Sequence, residues 1–128
     1  MDAAAVVTAY GSSWNEHDED TRRQLLESAW AEQGTYCDPT ATVEGREALV
    51  AHIGGFQVAM PGHTIDIETS VDEHDGHLRF AWAMRGPDGS VVLEGMDYGR
   101  LGEDGRLQQI VGFFGPFPSL DGGQTASV

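Results

Sequence analysis

With 128 residues, 40% of them hydrophobic and 22% charged, the chain is sized for one domain with its own core and is too short for two. Its formal charge is −14 and all seven basic residues are scattered arginines, which excludes the clustered phosphate-neutralising footprint of a nucleic-acid binder and removes lysine Schiff-base chemistry. No apolar run reaches membrane-spanning length, the start M-D-A-A-A-V-V lacks the regions of a signal peptide, and the lone Cys37 allows no internal disulfide, so a cytoplasmic protein without membrane contact is expected.

Asp2 supplies an N-cap for a helix to about Glu16, along which Ala3, Val6, Val7, Tyr10 and Trp14 recur at helical spacing. Tyr10 then points into the core, where its hydroxyl needs a partner. N-E-H-D-E-D breaks the pattern and caps a second helix from about Glu19 to Glu32, with Leu25, Leu26, Ala29 and Trp30 inward and Gly34 as its stop. T-Y-C-D-P-T is short and β-prone and ends at Pro39, which puts Tyr36 and Asp38 on one face and Cys37 on the other. Gly45 precedes a third helix that buries Ala48, Leu49, His52, Ile53 and Phe56 and ends before Pro61.

From Gly62 the period changes to two. A strand from His63 to Val71, the turn H-D-G-H, the strand carrying Leu78, Phe80, Trp82 and Met84, the turn G-P-D-G, the strand Val91 to Leu101, the turn E-D-G-R and a strand from Leu107 to Gly115 read as a four-stranded antiparallel meander. The domain spans 1–117, and 118–128 reads as a disordered tail. Asp72, Glu73, His74, Asp75 and His77 have ligand chemistry but crowd a hairpin turn, so no metal is expected.

One acid stands out. In the strand V-V-L-E-G-M-D-Y-G-R-L, alternation puts Asp97 on the side of Leu93, Gly95, Gly99 and Leu101. A carboxylate there costs free energy unless it is paired, hydrogen-bonded or protonated. Either a bulge at Gly95 or Gly99 turns it outward, or it is a functional acid in a pocket with a raised pKa.

Y-x-D-P at Tyr36 to Pro39, G-R-E-A-L at Gly45 to Leu49, R-F-A-W at Arg79 to Trp82, and D-G-R-L before G-F-F-G stand in an order by which the chain resembles the NTF2-like superfamily, particularly its SnoaL-like members, from about Val6 to Gly115. The resemblance implies an α+β, cone-shaped fold, with three N-terminal helices packed on a curved four-stranded antiparallel sheet plus a short strand. It also implies an apolar cavity and a homodimer through the outer sheet face, here Val92, Met96, Tyr98 and Phe114.

V-V-T-A-Y with W-N-E-H-D, then C-D-P, then M-D-Y-G-R-L-G-E-D-G-R-L is similar to the ketosteroid isomerases. That similarity would make Asp38 the proton-carrying aspartate, and Tyr10 and a protonated Asp97 the hydrogen-bonding pair, in a catalytic set that needs no cofactor. The stretch from Tyr10 to Asp38 is longer than theirs by about one helical turn and carries Trp14, Trp30 and Tyr36. The expected ligand is a small hydrophobic molecule walled by Trp14, Tyr36, His52, Phe56, Phe80, Trp82 and Phe113. A SnoaL-like polyketide cyclase and a non-catalytic ligand-binding or dimerisation module are the alternatives. Epoxide-hydrolase chemistry of the limonene type needs an Asp-Arg-Asp arrangement, and Gly95 stands where its arginine would be sought.

Overall fold

Asp2 and Asp18 each begin a helix by accepting a backbone N–H one turn on, Ala5 at 2.8 Å and Thr21 at 2.9 Å. In the computed structural model, which describes residues 1–121, they open α1 (Ala3–Asn15) and α2 (Glu19–Ala29). The chain continues through β1 (Trp30–Asp38), β2 (Ala41–Glu44), α3 (Arg46–Ala59), β3 (Thr64–Ile67), β4 (Asp72–His74), β5 (His77–Arg85), β6 (Val91–Leu101) and β7 (Leu107–Phe114). The expected tail, 118–128, lies outside the described residues from 122 on.

The three helices of the α+β fold are present, and the sheet is larger than the expected meander. Its seven strands run β2-β1-β7-β6-β5-β3, with β4 also on β5. It is mixed, because β1 pairs with β7 in parallel while its other pairings are antiparallel. The second helix stops at Ala29 and Trp30 opens β1. Gly34 is therefore no helix stop. It leaves room for the Trp30 indole, since a Cβ there would sit 2.6 Å from Trp30 Nε1.

Two arginines tie the helices to one another and to the sheet. Arg22, buried at 4% exposure, donates to the carbonyls of Glu16 (3.0 Å) and Val50 (3.2 Å) and to Gln57 Oε1 (2.9 Å). Gln57 Nε2 in turn donates to the carbonyls of Trp14 and Glu16. The cation thus satisfies orphan carbonyls at the C-terminal end of α1 and pins that end to α3. Arg46 donates twice to the Trp30 carbonyl. Fully buried Leu26, Trp30, Leu49, Ile53, Leu78, Leu107 and Ile110 fill the space between the helices and the concave sheet face.

A bulge in β7 decides which phenylalanine faces the interior. Leu101 pairs with Leu107 but Arg100 pairs with Gln109, so Gln108 is an extra residue and the alternation resets. Ile110, Gly112 and Phe114 then face inward. Phe113, expected in the cavity, lies on the outer face at 54% exposure. Phe114, expected on the outer face, packs edge-on against Trp82 at 5.8 Å between ring centres.

Candidate active site

The register of β6 carries Asp97 to the concave face between Phe80 of β5 and Gly112 of β7. It is 6% exposed, so no bulge turns it outward. Trp82 Nε1 donates to its Oδ1 at 2.9 Å. That bond depends on Gly95, directly across from Trp82. Any Cβ at this position would collide with the Trp82 ring and with the Phe113 carbonyl. Burial pushes the Asp97 carboxyl up to about 7, the Trp82 donor opposes that rise, and the negative charge of Asp38 adds to it.

Asp38 ends β1 and is both a turn residue and a cavity residue. Its Oδ1 accepts from Thr40 N (2.7 Å), Thr40 Oγ1 (2.7 Å) and Ala41 N (3.0 Å), the pattern by which an aspartate builds the turn after it. Its Oδ2 accepts from the Tyr36 hydroxyl at 2.5 Å, two residues back on the same face. Partial burial pushes this carboxyl up, but the donors from Tyr36, Thr40 and Ala41 outweigh burial and hold it below the ordinary carboxylate value. Burial, then the bond to Asp38, raises Tyr36 far above an ordinary phenol.

Gly112 separates the two acids. A Cβ there would stand 3.0 Å from Asp97 Oδ1 and 3.5 Å from Asp38 Cβ, so the space between the carboxyls exists because this residue has no side chain. Tyr10 reaches the same space from α1. It is 3% exposed and stacked on Trp30 at 5.5 Å. Burial first, then Asp97 and Tyr36, push its hydroxyl well above its ordinary value.

These groups line a cavity of about 550 Å³. Of the ten residues expected at the site, nine line it: Tyr10, Trp14, Tyr36, Asp38, His52, Phe56, Phe80, Trp82 and Asp97. Phe113 does not. Trp14 is the hinge of the aromatic wall, 5.6 Å from both Tyr36 and Phe56, with His52 edge-on at 6.0 Å. Sequence reasoning missed Phe114, Thr40 and the aliphatic side formed by Ile65, Ile67, Met84 and Leu93. Thr40 was findable from D-P-T, because an aspartate in such a turn bonds two residues ahead. The Asp72–His77 turn brings His77 Nδ1 and the Tyr98 hydroxyl to 2.5 Å. Among the described residues no group of three or more His, Cys, Asp or Glu side chains is placed to hold a metal, and no helix is long and apolar enough to cross a membrane.

The SnoaL-like domain model matches residues 7–110. A SnoaL-like family protein from Agrobacterium tumefaciens, which carries a provisional isomerase name, is 34% identical, with a TM-score of 0.82 over 87% of this chain and 95% of that one. A provisionally named SnoaL-like polyketide cyclase from a Jannaschia species is 15% identical, with a TM-score of 0.65 over 86% and 85% of the two chains. A protein with a cystatin-like fold from Methylobium petroleophilum is 15% identical, with a TM-score of 0.73 over 94% and 81%. No curated protein matches the chain. The two more distant likenesses speak to the fold alone, and a fold hosts many chemistries.

Proposed function

Because the chain belongs to the SnoaL-like domain family, we propose that it moves a proton next to the carbonyl of a flat hydrophobic substrate, as a ketosteroid-isomerase-like enzyme. Asp38 takes the proton from the carbon beside the carbonyl and returns it elsewhere on the substrate. Tyr10 and neutral Asp97 donate hydrogen bonds to the oxygen on which negative charge develops. This division of roles follows the one known for ketosteroid isomerases.

The observation that carries the reading is the pair of carboxyls on either side of Gly112, one held ionised and the other pushed up to about 7. Environments that drive two acids apart leave one as base and one as donor at neutral pH. Tyr36 orients Oδ2 of the base, and the aromatic walls exclude water that would compete with the donors. The provisional isomerase name of the 34% identical relative is in keeping with this.

The test is conversion of an unconjugated cyclic enone to its conjugated isomer, followed by ultraviolet absorbance. Wild type turns over, while Asp38→Asn and Asp97→Ala each lose roughly a hundredfold or more. No wild-type rate above buffer on steroid or smaller enones removes the isomerase reading, and an Asp38→Asn rate equal to wild type removes Asp38 as base. A ring closure of the polyketide-cyclase kind begins with the same proton removal, and it is the reading that stands if enones fail but a poly-β-ketone cyclises. If neither reaction occurs and Asp38→Asn keeps ligand affinity, the protein is a binding module. The outer sheet face, with Val92 and Phe113 each more than half exposed, is the proposed homodimer surface. A monomer mass by light scattering at micromolar concentration counts against it.

A further inference from the structure

We infer that the cavity admits ligands that bring no negative charge of their own: an uncharged ring compound or a protonated amine, not a carboxylate, a phosphate or a phosphate-bearing carrier thioester. The inference rests on the reading of Asp38 as the ionised acid of the site, and it concerns binding, so it is tested without turnover.

The positive charge of the chain lies away from the cavity. The chain has no lysine, and its seven arginines are committed away from the cavity. Arg22 is buried among carbonyls of α1 and α3. Arg23 holds Glu19, Asp20 and Glu47, Arg79 holds Asp72, and Arg85 holds Asp66 and Glu68. Arg106 holds Asp104, Arg46 caps the Trp30 carbonyl, and Arg100 is exposed on the side of β6 opposite Asp97. Among the described residues no guanidinium lines the cavity.

Asp38 is met instead by neutral donors: the Tyr36 hydroxyl, the Thr40 hydroxyl, and the backbone of Thr40 and Ala41. The titratable groups facing the same space are Tyr36 from β1, Tyr10 from α1, His52 from α3 and Asp97 from β6, while β7 contributes only Gly112 beside the acids. Of these only His52 can carry a positive charge.

Proton transfer preserves this balance. The substrate C–H bond breaks, an O–H bond forms on Asp38, and the electron pair moves to the carbonyl oxygen, so the cavity holds one negative charge before and after. A ligand arriving as an anion makes two in a space lined mostly by apolar side chains, where like charges repel more than in bulk water. It can enter only with a proton. A cation meets the reverse situation, an ionised carboxylate and the faces of Trp14, Tyr36 and Trp82.

Three probes of one shape test this by calorimetry and by tryptophan fluorescence at about pH 7: naphthylmethanol, naphthylmethylammonium and naphthoate, the last an anion and the second a cation at that pH. The expected result is that the alcohol and the ammonium bind wild type at least about tenfold more tightly than naphthoate. In Asp38→Asn the naphthoate deficit should close to within about threefold, and the ammonium should lose affinity. A measurement on wild type alone guards against a misfolded variant: in buffers of different ionisation heat, naphthoate binding takes up close to one proton more than naphthylmethanol binding does.

Naphthoate binding as tightly as the alcohol without proton uptake overturns the inference, and so does a ranking unchanged in Asp38→Asn. Failure of all three probes to bind overturns it as well. The charge ranking without any isomerase rate sinks the reaction and leaves this inference standing.

Discussion

The turn that ends β1 and the middle of β6 each present an aspartate to the same cavity, and they treat it in opposite ways. Asp38 sits where a turn begins, so the backbone N–H groups of Thr40 and Ala41 and the Thr40 hydroxyl converge on it, and Tyr36 adds a fourth donor. Asp97 sits within a ladder whose backbone groups already bond to one another, and among the described residues only the Trp82 indole donates to it. Four donors outweigh burial in the first place; one does not in the second. Asp97 is also the more deeply buried of the two, so burial and the number of donors that local backbone geometry leaves over together assign the two protonation states.

The largest expected effect removes the strand acid's titration. For Asp97 the folded carboxyl is raised to about 7 and an unfolded one is near 3.9. Between these values the folded state binds the extra proton, so stability falls as pH rises through the window, by up to about 1.4 kcal/mol per unit, and the penalty is complete above the folded value. Asp97→Asn should therefore be more stable than wild type at about pH 8, by roughly 2 to 4 kcal/mol, with the gap closing toward about pH 4. Denaturant midpoints across that range check it, and a gap that does not vary with pH would mean Asp97 titrates normally.

Next is the device that brings Asp97 its single donor. Gly95→Ala forces the Trp82 ring or the Phe113 carbonyl to move, which should cost about 3 kcal/mol. It should also raise the Asp97 carboxyl further by withdrawing the indole. Thermal unfolding and carboxyl-carbon NMR read the two parts separately, and an unchanged Asp97 midpoint would show that Trp82 keeps its bond.

The smallest effect loosens the turn acid. Tyr36→Phe deletes one of four donors, costs roughly 1 kcal/mol, and lets the Asp38 midpoint rise toward the ordinary value. Asp38 contributes stability that is present above the unfolded value and lost as pH falls through its lowered folded value. The variant should lose that stability at a higher pH than wild type does. A carboxyl NMR midpoint for Asp38 that stays where wild type has it would mean the turn donors alone set it.

Much of this was legible from local pattern. Helical spacing placed Tyr10 and Trp14 on the buried side of α1, and alternation along β6 placed Asp97 inward. Each depends only on residues a few positions away, and the side-chain periods of helix and strand convert spacing directly into facing. The conflict between an acid and an apolar face could be read in the same way, because the cost of an unpartnered carboxylate is the same wherever the strand lies.

What the sequence could not decide depends on partners far along the chain. Trp30 leaves α2 to open a strand because β7, more than seventy residues later, supplies a parallel edge, and no local propensity announces that pairing. Phe113 and Phe114 exchanged faces because one extra residue opposite Arg100 reset the alternation, and a bulge is a property of two strands together. The same holds for the acids. Spacing put Asp97 on the apolar side of its strand, with a bulge outward as the alternative, and set Asp38 in a turn beside Tyr36, but only the tertiary structure buried Asp97, and only the register of β1, β7 and β6 brought the two acids to either side of Gly112. Proximity between residues so distant in sequence is fixed by which strands pair, and pairing is decided by the whole core at once.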